Sequence, residues 1–237
     1  MIEKQEIFRI ANEKQLDPTV IERDYALGWA LWGISQNSDL SKVLIFKGGT
    51  SLKKCYFPDY RFSEDLDFTV APGEKISEQA LIKNLKIICE NIMSKSNIQF
   101  LTEKTTVKTT RTIAGEEAYK GTIYFIGPRG DQRNPLRIKF DITHFEIIVQ
   151  TLQKKEIIHP YSDANECLCK ILTYNIDEII AEKMRALLQR TRPRDYYDIW
   201  YILKNIQKSV SSKEVRRIFK EKAQFKKVPF DDILNRF

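Results

Sequence analysis

The spacing of apolar positions over the first 36 residues predicts two helices, 3–15 and 18–36, the second with Asp17 as N-cap and Pro18 at its first position. A short apolar run over 43–46 then meets Gly48-Gly49, the pattern of a strand entering a tight turn, and a short helix is expected over 50–56. Residues 66–70 read as a second strand, stopped by Pro72-Gly73. Leu81, Leu85, Ile88 and Ile92 recur at helical spacing within 77–95. From 98 to 126 β-branched residues gather around Gly115 and Gly121, which suggests an antiparallel pair, and LRIKFDIT over 136–143 alternates as a half-buried strand does. Beyond Pro160 the pattern turns helical, over 164–174, 176–190, 194–207, 211–223 and 230–236. The expected fold is α+β: a mixed sheet with helices over residues 1–158, then a helical bundle over 159–237.

Composition changes this outline little. The 237 residues, 42% hydrophobic and 30% charged, suit one large domain or a domain with a compact appendage. No run approaches the roughly 18 apolar residues of a membrane span, and MIEKQEIFRIANEKQ lacks the apolar core of a signal peptide. A cytoplasmic protein without membrane partners is expected. Cys55, Cys89, Cys167 and Cys169 have no zinc-site spacing and read as reduced thiols. The net charge of +7 is more informative, because the segment 204–227 holds nine Lys or Arg against two Glu and so carries all of it. A basic end on a neutral body is an electrostatic footprint for nucleic acid, or else a solvated helix face with no partner.

The stretch FKGGTSLKKCYFPDYRFSEDLDFTV concentrates the chemistry. A strand passing through Gly48-Gly49 into a helix start places backbone N–H groups, with Lys47 and the hydroxyls of Thr50 and Ser51, where a phosphate could sit. Asp65 and Asp67 are two apart on a strand, so their carboxylates share a face. Close carboxylates repel unless a cation lies between them, and oxygen ligands without histidine suit Mg2+ or Mn2+. Asp141, on an alternating strand, could supply a third acid. Such a set fits nucleotidyl transfer from an NTP. Taken singly, a Gly-Gly turn is common and a strand-end Asp-x-Asp often marks only an exposed edge.

In NIDEIIAEKMRALLQR, Lys183 falls inside the apolar stripe of Ile176, Ile179, Ile180, Met184 and Leu187. A lysine there either snorkels to water or aims at an anion such as a triphosphate. On the second reading Lys183→Met should keep stability and lose catalysis. In RTRPRDYYDIWYIL, Asp195 and Asp198 sit three apart on one helical face, near the buried side. Helix capping accounts readily for Asp195, less so for Asp198.

FKGGTSLKKCY, RFSEDLDF and DEIIAEKMRALLQRTRPRDYYDIW together resemble the AbiEii/AbiGii toxin family of nucleotidyltransferases, which includes the MenT toxins, over about residues 43–203. The resemblance implies a polymerase-β-like nucleotidyltransferase core followed by a C-terminal helical part. It also implies a toxin paired with an antitoxin encoded nearby, in abortive infection or growth control. By position, Gly49, Thr50 and Ser51 would hold phosphate and Asp65 and Asp67 would bind metal. Lys183 would be the helical lysine, and Asp198 the acid of the last motif, with Asp195 close by. The expected reaction transfers NMP from an NTP to a tRNA 3′ end. A protein hydroxyl is the alternative acceptor, and a non-catalytic nucleic-acid-binding regulator is the alternative class.

Overall fold

The computed structural model describes residues 1–111, 115–190, 192–206 and 210–229. The chain divides into two compact units: Met1–Phe145 with Lys154–Thr173, and Glu146–Gln153 with Tyr174–Phe237. The chain therefore passes between the units three times, whereas the expected boundary at 158/159 has it cross once.

The first unit is built on an eight-stranded mixed sheet: β1 (Leu44–Lys47), β2 (Asp65–Val70), β3 (Gln99–Phe100), β4 (Thr106–Arg111), β5 (Glu117–Ile126), β6 (Leu136–Thr143), β7 (Gln153–Glu156) and β8 (Lys170–Thr173). The spatial order is β3-β5-β6-β2-β1-β8-β7, with β4 also pairing with β5. β1 is flanked on both sides, antiparallel to β2 and parallel to β8, and all four of its residues are buried, which is why 44–46 read as an uninterrupted apolar run before Lys47. β2 runs parallel to β6, and β6 antiparallel to β5.

Three helices complete this core: α1 (Lys4–Lys14), α2 (Pro18–Gln36) and α5 (Glu78–Met93). Asp17 caps α2 by accepting the Thr19 N–H at 2.8 Å. From Ile21 to Ile34 almost every residue of α2 is buried, as befits a helix surrounded by its own core. Two shorter helices, α3 (Leu40–Val43) and α4 (Gly48–Ser51), flank β1, and α4 runs on into a π-helical turn, Leu52–Tyr56. Among the described residues no helix is long and apolar enough to cross a membrane.

One expected helix, 164–174, is instead a turn followed by β8. In CLCKILT the buried residues are Cys167, Cys169, Ile171 and Thr173, while Leu168 and Lys170 are exposed. That period of two is a strand's. Thr173 fixes the strand by donating its hydroxyl to the Phe46 carbonyl at 2.9 Å. The antiparallel pair expected over 98–126 is β4 with β5, and β3 adds a further antiparallel partner to β5. The helix expected over 230–236 lies outside the described residues.

A buried polar network anchors the π-helical turn. Lys54, wholly buried, donates to the Asp24 carboxylate at 2.8 Å and to its carbonyl at 2.9 Å. Tyr161 donates to the same carboxylate at 2.8 Å. Asp163 accepts from Tyr25 at 2.7 Å and lies 3.1 Å from His159 Nε2. The His159 ring packs on Gly28, where a Cβ would fall 2.2 Å from Nδ1, so only glycine fits. Burial holds the His159 imidazole below its usual range, against the pull of Asp163.

The second unit contains α6 (Ile176–Gln189), α7 (Pro193–Ile206) and α8 (Ser212–Phe225), with the 146–153 segment laid beside them. Glu178, fully buried, accepts the N–H groups of Val149 and Gln150, each at 3.0 Å. Lys222, equally buried, lies 3.0 Å from Glu178 and donates to the Ile147 carbonyl at 2.8 Å. The expected basic footprint is therefore smaller than its sequence. Lys222 is interior, Lys226 sits 3.5 Å from Glu146, and Arg217 is paired with Glu214 and Glu221.

A pH dependence follows from His159. Its folded pKa lies below the unfolded value of about 6.5, so unfolding takes up a proton once the pH drops under that value. Its contribution is complete above about pH 6.5 and is lost as the pH falls below it. His144, shifted down mainly by burial, adds in the same direction. Thermal melts should show Tm falling between pH 7 and 5, with a shallower slope in His159→Gln. An unchanged slope in that variant would rule the imidazole out as the source.

Candidate active site

The candidate site of the first unit is set by register. β1 ends at Lys47, opposite Asp67 across the antiparallel pair, and the next residue, Gly48, turns the chain into α4. Gly48 has φ +79°, in the left-handed region, and a Cβ built there would lie 2.1 Å from Asp67 Oδ2. The Asp67 carboxylate thus occupies the space a side chain would need, and glycine is required twice over.

Thr50 donates its hydroxyl to the Asp65 carbonyl at 2.5 Å and Ser51 donates to the Gly48 carbonyl at 2.8 Å; both residues are buried. The two hydroxyls hold the turn against β2. Lys47, also buried, donates from Nζ to Thr143 on β6 at 3.0 Å.

The carboxylates line up across two strands. Asp65 and Asp67 share a face of β2, and Asp141 is the residue on β6 paired in register with Asp67. Asp65 Oδ1 is buried and has no hydrogen-bond partner among the described residues. An orphaned carboxylate oxygen in an all-oxygen donor set is what a hard divalent cation would satisfy. No group of three or more His, Cys, Asp or Glu side chains is gathered as a metal cage among the described residues. A cation held by the Asp65/Asp67 pair would draw its other ligands from water and phosphate, as Mg2+ commonly does.

Two further residues enter that sequence reasoning left unassigned. At Gly49 an added Cβ would lie 3.1 Å from an Arg61 guanidinium nitrogen and 3.5 Å from Ser63 Oγ. Arg61 and Ser63 also line a cavity of about 580 Å³, together with Lys14, Arg23 and Lys53. Their signal was present in RFSEDLDF, where an arginine and a serine stand just before the paired acids. Lys53 donates to the Pro58 carbonyl, and burial is the main cause holding its ammonium below the usual lysine range.

In the second unit Lys183, Asp195 and Asp198 form a cluster of their own. The Lys183 ammonium lies 3.1 Å from Asp195 and 2.8 Å from Asp198, both of which are wholly buried. Arg190 approaches Asp195 at 3.4 Å. The lysine inside the apolar stripe is thus compensated by the two acids of α7.

A family model described as "Nucleotidyl transferase AbiEii toxin, Type IV TA system" matches residues 29–236, nearly the whole chain. The chain belongs to the AbiEii family. Among solved structures, MenT4, a nucleotidyltransferase toxin of Mycobacterium tuberculosis H37Rv, is similar with a TM-score of 0.66 at 21% identity, covering 100% of this chain and 73% of that one. JHP933 of Helicobacter pylori is similar with a TM-score of 0.59 at 16% identity, covering 94% and 85%. A structure described as a putative nucleotidyltransferase from H. pylori gives 0.59 at 16%, covering 93% and 83%. No protein of curated function matches the chain. The α+β core followed by helices, expected from the residues, is the AbiEii nucleotidyltransferase fold. As a toxin of a type IV toxin–antitoxin family it implies a cognate antitoxin.

Two substitutions test the geometry. Gly48→Ala should abolish nucleotide transfer, because φ +79° and the Asp67 contact both oppose a Cβ, and transfer assays on purified variant read this directly. Lys183→Met should destabilise the protein by about 3–5 kcal/mol in denaturant unfolding, since it strips the cation from two buried carboxylates. This reverses the expectation, drawn from the stripe alone, that the methionine variant keeps its stability.

Proposed function

We propose that this AbiEii-family protein is a metal-dependent nucleotidyltransferase that moves NMP from an NTP to the 3′ end of tRNA. The observation that carries the reading is the Asp65/Asp67 pair on β2, packed against the Gly48 turn and flanked in register by Asp141. Asp65 and Asp67 would hold Mg2+ or Mn2+, with water and phosphate completing the shell and Asp141 in register beside Asp67 on β6. A bound cation would supply charge neutralisation on the triphosphate and polarise the reacting phosphate. MenT4 is named a nucleotidyltransferase toxin, which agrees with the reaction class.

In the proposed reaction the acceptor 3′ hydroxyl oxygen forms a bond to the α-phosphorus. The bond from that phosphorus to the bridging oxygen breaks, and pyrophosphate leaves. The hydroxyl proton passes to solvent or to a carboxylate of the Asp65, Asp67 and Asp141 set. Lys47, Gly48, Gly49, Thr50 and Ser51 would form the phosphate cradle. Its contacts would come chiefly from backbone N–H groups, since those opening a helix have no intrahelical partner. Arg61 would add a guanidinium suited to phosphate oxygens. Lys183, Asp195 and Asp198 belong to this proposal through their place in the helical motif.

The test incubates the protein with labelled NTPs and either total tRNA or total soluble protein, then resolves which pool gains label. Label is expected in tRNA, and Asp65→Asn or Asp67→Asn should lower transfer at least roughly 100-fold, the scale of losing one electrostatic contact to the transition state. Mg2+ should raise the Tm of the parent and not that of Asp65→Asn. Label confined to protein would establish the alternative acceptor. Label in neither pool, from a folded protein with metal, would favour a regulator that only binds nucleic acid.

A further inference from the structure

α7 carries a row of large side chains that its own unit does not bury. Tyr196 and Trp200 are 54% and 53% exposed, and Leu203 and Tyr197 39% and 38%. Positions 196, 200 and 203 follow one another at helical spacing, so these groups form a continuous stripe. The rings of Tyr197 and Trp200 lie 5.7 Å apart, and those of Tyr197 and Tyr201 5.8 Å. Contiguous exposed apolar surface of this kind marks an interaction site.

Charge on the same helix is sorted. Both acids of α7, Asp195 and Asp198, are wholly buried against Lys183, while Arg194 and Lys204 are exposed. Lys204 Nζ stands 4.8 Å from the Trp200 ring centroid, so a cation accompanies the most exposed indole. The outward face of α7 therefore offers aromatic rings, Leu203 and positive charge, and the helix exposes no acid. Unpaired nucleobases stack on such rings while their phosphates meet the cations.

We infer that the outer face of α7, through Tyr196, Tyr197 and Trp200 with Arg194 and Lys204, is a stacking platform for the unpaired bases of an RNA 3′ end. The inference rests on the transferase reading given above, which it deepens by naming where the acceptor is gripped. The platform would select single-stranded ends over paired helices, whose bases are already stacked on one another.

The protein carries its own reporter. Of its three tryptophans, Trp29 and Trp32 are buried and Trp200 alone is exposed. A short single-stranded RNA added to the full chain without NTP should quench the exposed indole, and a blunt duplex of the same length should do so much less. Anisotropy with end-labelled RNA should show roughly tenfold weaker binding for Tyr196→Ala/Trp200→Ala, and near-parental binding for Trp200→Phe. Arg194→Glu and Lys204→Glu should each weaken binding and lower the log–log salt slope by about one unit. In the transfer assay the double alanine variant should raise the KM for tRNA and leave NTP affinity unchanged. Parental RNA affinity in that variant, no change in indole emission, or equal affinity for the duplex would overturn the platform. Loss of antitoxin association with RNA binding intact would overturn it too, and would give the stripe to a protein partner. The two readings fail separately: label on protein alone sinks the tRNA acceptor, whereas RNA affinity and indole quenching judge the platform.

Discussion

Gly48 has no room for a side chain because the Asp67 carboxylate fills that space, and the rest of the candidate site depends on this contact. It requires β1 and β2 to pair with Lys47 opposite Asp67, since a slip of one residue would turn the acid to the other face. The Thr50 and Ser51 hydroxyls hold the turn in that register, and the parallel pairing of β2 with β6 brings Asp141 alongside. One close approach between a backbone and a carboxylate thus fixes three acids and a helix start relative to one another.

Interior charge follows the same logic in both units. Lys54 with Asp24, Lys222 with Glu178, and Lys183 with Asp195 and Asp198 each place an ammonium against buried acid. Such groups add little net stability over apolar residues of the same shape, but losing one partner is costly, so each pair penalises misassembly. Lys54 and Lys222 never meet solvent, but each is buried with an acid, Asp24 and Glu178, so these pairs leave the positive balance of the surface unchanged.

Much of this was legible in the residues. The strand, glycine turn, helix and acidic strand from Leu44 to Val70 could be read because each has a local signature: an apolar run, a glycine pair, an alternating triplet. Asp17 was equally plain as a helix cap. The failures share a cause. CLCKILT is apolar enough for either state, and only its pairing with β1 decides for a strand. Lys183 and Lys222 looked available because sequence spacing shows a side chain's direction and not the acid waiting there. Arg61 and Ser63 reach Gly49 through a loop whose path has no periodicity to reveal it.

The second unit is assembled from two separated pieces of chain, and this bears on how it is made. Residues 146–153 leave the ribosome well before α6 and α8, yet their N–H and carbonyl groups are matched by Glu178 and Lys222. Until α8 has emerged, that segment has no stable place to settle, while most of the first unit's sheet has already been synthesised. At typical translation rates of about 5–20 residues per second, the interval from Gln153 to Phe225 lasts on the order of 4–15 seconds. For a toxin, this makes the helical unit take shape after most of the sheet has been made, and gives any protein that captures incomplete chains several seconds in which to act.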